Sequence, residues 1–141
     1  MTRMPLHLME HPEDVSILRL PGGQEPGFDW TGPPFASLTR TPDETSVVCR
    51  TDVLPTGLRG VRTEGPFRVV EVAGPLEFGA VGVFHGIIGP LADVGIPILG
   101  FSTFDTDWIL IPVGRIRDAG EAWRRAGFVL TPTSLSGGTS S

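Results

Sequence analysis

From Phe67 onward the apolar residues change their spacing from one segment to the next, and the order of those changes leaves few folds open. PFRVVEVAG reads as a strand closed by Gly74-Pro75. In FGAVGVFHGIIGPLADVG, the residues Phe78, Val81, Phe84, Ile88 and Leu91 recur three and four apart, which is the spacing of one helix face. Pro90 should bend that helix and Gly95 should stop it. IPILGF and DWILIP follow as two apolar runs on either side of a polar turn. GRIRDAGEAWRRAG then sets Ile116, Ala119, Trp123 and Ala126 on one face of a second helix, and FVLT closes the series as a strand. The order βαββαβ is that of the ferredoxin-like split unit, an α+β arrangement of four antiparallel strands under two helices.

The first half lacks the helices. LHLM and VSILRL read as short strands, and FASLTRT with SVVCRT as a hairpin across Pro42-Asp43-Glu44. PGGQEPGFDWTGPP stands where a helix would lie and holds one turn at most. The organisation expected is a helix-poor, truncated unit over residues 5–65, a complete unit over 66–131, and a disordered tail of low complexity over 132–141. Sliding the first hairpin forward by 62 residues lays Thr41 on Thr103, Asp43 on Asp105, and Val47, Val48, Cys49 on Ile109, Leu110, Ile111. That match pairs polar tips as well as apolar arms, as an internal duplication would. A sheet with a bare face needs cover, which the other half or a second chain would supply.

Composition removes several classes of function. The net charge of -5 and the absence of any long basic cluster argue against nucleic acid as a partner. No apolar run reaches the roughly 20 residues that span a bilayer, and no signal-peptide pattern opens the chain, so a cytoplasmic protein without membrane contact is expected. The single cysteine, Cys49, has no internal partner for a disulfide and falls at an apolar strand position, where a buried, inert thiol is the expectation. His7-Leu8-Met9-Glu10-His11 matches a zinc-protease pattern, but that pattern needs a helix, and Pro5 and Pro12 leave no room for one. There is no lysine or tyrosine, no nucleophile elbow and no phosphate-binding loop. No catalytic residue, metal ligand or cofactor site is therefore assigned.

What remains is the loop after the first strand of the βαββαβ unit, Val72 to Gly79, and the tip FSTFDTD. The loop leads into a helix N-terminus, where unpaired N–H groups and the helix dipole favour a carboxylate. Asp105 offers a negative partner to an ammonium or guanidinium group, and an amino acid carries both charges. By spacing alone the loop is equally a plain turn, with Asp105 bonding within its own hairpin.

The stretch EVAGPLEFGAVGVFHGIIGPLADVGIPILGFSTFDTDWILIP resembles the ACT domain. STFDTDWILIP is similar to small bacterial proteins with paired ACT-like units, to the ACT repeats of cytosolic arginine sensors and to those of lysine-sensitive aspartate kinases, and FASLTRTPDETSVVCR resembles the first-half hairpin of the same small proteins. The resemblance implies edge-to-edge pairing of units and an amino acid bound where they meet. Carried onto this chain, it implies Gly74, Pro75, Leu76 and Phe78 in the loop, Ser102, Thr103, Phe104 and Asp105 in the tip, and Thr39 and Thr41 from the first half. It further implies a non-catalytic sensor or regulatory protein that acts on an enzyme or protein target. The alternative is an ACT-type assembly module that takes no ligand. A homodimer or higher oligomer is expected from the helix-poor first half and from DWILIP, which is apolar on both strand faces as a strand covered on each side would be. No kinase or dehydrogenase domain is expected within the residues that carry these units.

Overall fold

The computed structural model describes residues 7–57, 61–72 and 83–133. Along the chain run β1 (His7–Pro21), β2 (Ser37–Arg40), β3 (Glu44–Arg50), β4 (Arg62–Val72), α1 (Val83–Asp93), β5 (Leu99–Ser102), β6 (Asp107–Pro112), α2 (Ile116–Arg125) and β7 (Val129–Pro132). They form two compact units, one of Met1–Pro12 with Arg68–Ser141 and one of Glu13–Phe67. Both β1 and β4 give one part of their length to each unit.

The first of these units has the βαββαβ order, β4-α1-β5-β6-α2-β7, of an α+β ferredoxin-like fold. β5 and β6 pair antiparallel, with Leu99 opposite Leu110 and Phe101 opposite Trp108. The last strand pairs with the start of the chain: β7 runs parallel to β1, His7 opposite Val129 and Glu10 opposite Pro132. The Thr133 amide adds a bond to the Glu10 carbonyl at 2.8 Å. Ordered strand therefore continues through Pro132, the residue at which composition places the start of the tail. The rest of the tail, 134–141, lies outside the described residues.

Alternate strand residues and helix residues three or four apart meet in one core. It comprises Leu8, Val70, Val72, Ile109 and Ile111 from strands, Ile87, Leu91, Ala119, Ala122 and Trp123 from helices, and Ile96. Trp123 is fully buried and donates its indole N–H to the Ile87 carbonyl at 2.8 Å, which fixes α2 to α1. Pro90 is inside α1, and the helix stops at Gly95 (φ 74), whose amide bonds the Ala92 carbonyl while Ile96 bonds Leu91. Gly100 lets α1 approach β5: a Cβ there would stand 2.6 Å from the Phe84 ring.

In the Glu13–Phe67 unit, β2 and β3 form the expected hairpin, and β3 pairs antiparallel with β1 from Val15–Arg50 to Pro21–Glu44. The extended backbone does not break at Pro12, so what reads as two short strands is one. A proline can join a strand because its fixed φ suits extended backbone and only one donor is lost. Leu18, Leu20, Val47 and Cys49 form the core. No helix covers it. Phe28 and Trp30 pack there instead, from the segment that replaces the helix, together with Leu38, Leu54 and Val61. Arg40 anchors that segment through Glu25 at 2.8 Å. At least part of the cover that the sequence reading assigned to the other half or to a second chain thus comes from within the unit.

Candidate functional site

The tip between β5 and β6 is built by hydroxyl groups. The Thr103 amide donates to the Thr106 carbonyl at 2.8 Å, and Thr103 Oγ1 accepts the Thr106 amide at 3.1 Å. Ser102 Oγ donates to Asp107 Oδ1 at 2.7 Å. The hydroxyls of Ser102 and Thr103 are therefore engaged in holding the hairpin closed. Phe104 is 77% exposed, and Asp105 beside it is exposed as well. Among the described residues, Asp105 has neither a hydrogen bond nor an ion pair. Threonines make the turn's bonds, so the reading of Asp105 as a cap of its own hairpin does not describe this structure.

Of the residues singled out from sequence, Ser102, Thr103, Phe104 and Asp105 come together in this tip. Gly74, Pro75, Leu76 and Phe78 lie outside the described residues. Thr39 and Thr41 belong to the Glu13–Phe67 unit, on β2 and at the end of the first hairpin. The two hairpins share a plan. Thr41 donates its amide to the Glu44 carbonyl at 2.9 Å, and its Oγ1 accepts the Asp43 and Glu44 amides at 3.2 Å, as Thr103 does with Thr106. Adding 62 to the β2–β3 pairs Ser37–Val48, Leu38–Val47, Thr39–Ser46 and Arg40–Thr45 gives the four β5–β6 pairs. Register and turn chemistry repeat, and burial repeats along residues 46–50 and 108–112, though not along β2 and β5.

The sequence reading missed a side-chain cluster beneath the tip. Trp108 donates Nε1–H to Thr106 Oγ1 at 2.7 Å. Its ring stacks on His11 with centroids 5.6 Å apart and planes at 27°. His11 Nε2 meets Glu71 Oε1 at 2.9 Å, and nearby Arg68 pairs with Glu10 at 2.6 Å. Trp108 and Glu71 alternate with core residues along their strands, which is the one signal that could have found them. His11 drew notice only as half of a zinc pattern. His7 to His11 lie on β1, so the helix which that pattern requires is not formed, and His7 bonds Thr131 Oγ1 at 2.7 Å.

Elsewhere Cys49 is buried, and burial pushes its thiol up from the ordinary value of 9.0. Arg50 holds the Asp52 carboxyl below the usual range. An open cavity of about 270 Å³ in the Glu13–Phe67 unit is rimmed by Arg19, Glu44, Arg62 and Glu64 and collects none of the expected site residues. No helix among the described residues is long and apolar enough to cross a membrane.

Residues 62–124 match the family model of the ACT domain. No curated protein matches the chain. Among solved structures, the chain is similar to a structural-genomics protein from Agobacterium tumefaciens, at 28% identity over 94% of this chain and 97% of that one, with a TM-score of 0.83. It is also similar in fold to a Vibrio cholerae protein of unknown function described as a possible transport protein (16% identity, 86% and 89% covered, TM-score 0.66). A third similar structure is the regulatory subunit of aspartate kinase from Thermus flavus (14% identity, 87% and 97% covered, TM-score 0.59).

Proposed function

The chain carries an ACT domain at residues 62–124, and from that premise we propose that it is a sensor or regulatory protein that binds a small amino acid and has no catalytic activity of its own. The carrying observation is Asp105: an exposed carboxylate at a tip whose turn is closed by other groups, left to pair with the ammonium or side-chain cation of a ligand. Ser102, Thr103 and Phe104 stand beside it; Gly74, Pro75, Leu76 and Phe78, and in second rank Thr39 and Thr41, join the proposal as the residues that the resemblance to the ACT domain implies. The likeness to the aspartate kinase regulatory subunit supports a regulatory role. A cytoplasmic homodimer acting on an enzyme or protein target belongs to the same proposal.

A thermal-shift screen with the twenty amino acids, on the wild type and on Asp105→Asn, tests it. A ligand at about 100 times its Kd adds about 2.7 kcal/mol, a shift of several degrees. Asp105→Asn keeps the side chain's size but loses a charge-assisted bond of roughly 1.5 to 3 kcal/mol, so affinity should fall about tenfold to a hundredfold from an unchanged baseline. Equal shifts in both proteins would remove Asp105 from the site. No response in the wild type would favour a pure assembly module.

A further inference from the structure

The tip is tied to the strands beneath it through one continuous set of contacts. Thr106, which closes the turn with Thr103, accepts the indole N–H of Trp108 on β6. The indole lies against His11 of β1, and His11 reaches Glu71 of β4. A carboxylate only accepts, so the ring nitrogen facing Glu71 carries hydrogen, the neutral ring is the Nε2–H form, and an added proton goes to Nδ1. The His11 and Glu71 side chains are 18% and 23% exposed, so the pair is partly shielded from solvent. A proton on Nδ1 sets a cation against a carboxylate and an aromatic face, each of which attracts it.

We propose that Glu71, His11 and Trp108 act as a positioning relay through which the protonation of His11 sets the geometry of the Thr103–Thr106 tip. Among the described residues, Glu71 from β4 is the one charged group seen in contact with the ring. β6 presents the uncharged indole, and its Asp107 accepts from Ser102. On β1 itself, Glu10 is held by Arg68, and the neighbouring β7 brings Thr131 onto His7. The protonated ring draws the indole and the carboxylate closer, and the indole carries the change to the hydroxyl that closes the turn. For ligand binding, the relay rests on the tip being the amino-acid site. The geometry of the tip itself does not depend on that reading, and neither does the test.

The full-length protein, ¹⁵N-labelled and without ligand, is titrated through the range where histidines change charge, about pH 5 to 8. The Trp108 indole and Thr106 amide resonances should move with the same midpoint as the His11 ring protons. In His11→Gln, which keeps a donor for Glu71, both should be flat. In Trp108→Phe, which keeps the ring and removes the donor, His11 should still titrate while Thr106 stays flat. Wild-type resonances that ignore the His11 titration would overturn the relay, as would a Thr106 titration unchanged in Trp108→Phe. Those two measurements decide the matter even if His11→Gln does not fold. A negative amino-acid screen with a positive titration would remove the ligand and leave the relay standing.

Discussion

Cys49 is the one side chain that titrates between the histidines and the arginines, because the chain has neither lysine nor tyrosine. Its folded-state pKa is raised by burial, so above the ordinary value of 9.0 the unfolded thiol ionises while the folded thiol keeps its proton. The unfolded state then binds fewer protons, and stability must fall as pH rises, by at most about 1.36 kcal/mol per pH unit. Urea unfolding should therefore show stability declining above pH 9, and Cys49→Ala, whatever its baseline, should lose that decline. A second residue-level constraint is Gly65, with φ +131 and room for no Cβ: one would stand 2.8 Å from Ser16 Oγ and 3.2 Å from Ser16 Cα. Gly65→Ala should cost about 1 to 3 kcal/mol by the same measurement. The buried thiol was legible in the apolar spacing of SVVCR. The Gly65 contact was not, since Ser16 is a neighbour only in three dimensions.

At the scale of elements, α1 and α2 are joined by Trp123, whose ring is buried and whose N–H meets the Ile87 carbonyl. Trp123→Phe keeps most of the ring and loses the donor, at an expected cost of about 1 to 3 kcal/mol; Trp123→Ala should cost about 3 to 5 kcal/mol. Chemical denaturation of both variants checks the order. β7 carries a different expectation from the one its composition suggests. Deleting Pro132–Ser141 removes the end of a paired strand and the Thr133–Glu10 bond, so the melting temperature should fall by several degrees. The existence of both helices and of the β5–β6 hairpin was readable from periodicity. The faces were readable in part, since α1 buries Ile87 with Leu91 where the spacing had put Ile88, Ala126 of the second face is exposed, and Phe78 and Val81 lie outside the described residues. The pairing of β7 with β1 was not readable, because a parallel partner from the far end of the chain leaves no local mark.

At the scale of the whole molecule, the matched registers of the two hairpins fit a duplication whose first copy replaced its helix with an aromatic segment. One argument for a dimer changes in the process. DWILIP is apolar on both faces, as if awaiting a second chain, yet Ile109, Leu110 and Ile111 are fully buried within one chain of 15.1 kDa. The homodimer proposed here rests instead on β5, which ends the strand order with one edge unpaired among the described strands. Light scattering at micromolar concentration should give about twice the chain mass; the mass of one chain would withdraw the dimer while leaving the fold and the ligand reading intact.

The candidate site divides along the same line. Ser102 to Asp105 stood out because polar residues between two apolar runs form a tip wherever the strands lie. That Asp105 has no partner among the described residues was a tertiary fact, as was the cluster beneath it: His11 and Glu71 are 60 residues apart and meet only because β1 and β4 are neighbours. Burial periodicity is a property of a few consecutive residues, so the sequence by itself determined which segments are strands or helices and in what order. Which strand lies beside which depends on contacts between distant segments, and only the tertiary structure could decide that β1 serves both units and brings His11 to Glu71 and Trp108.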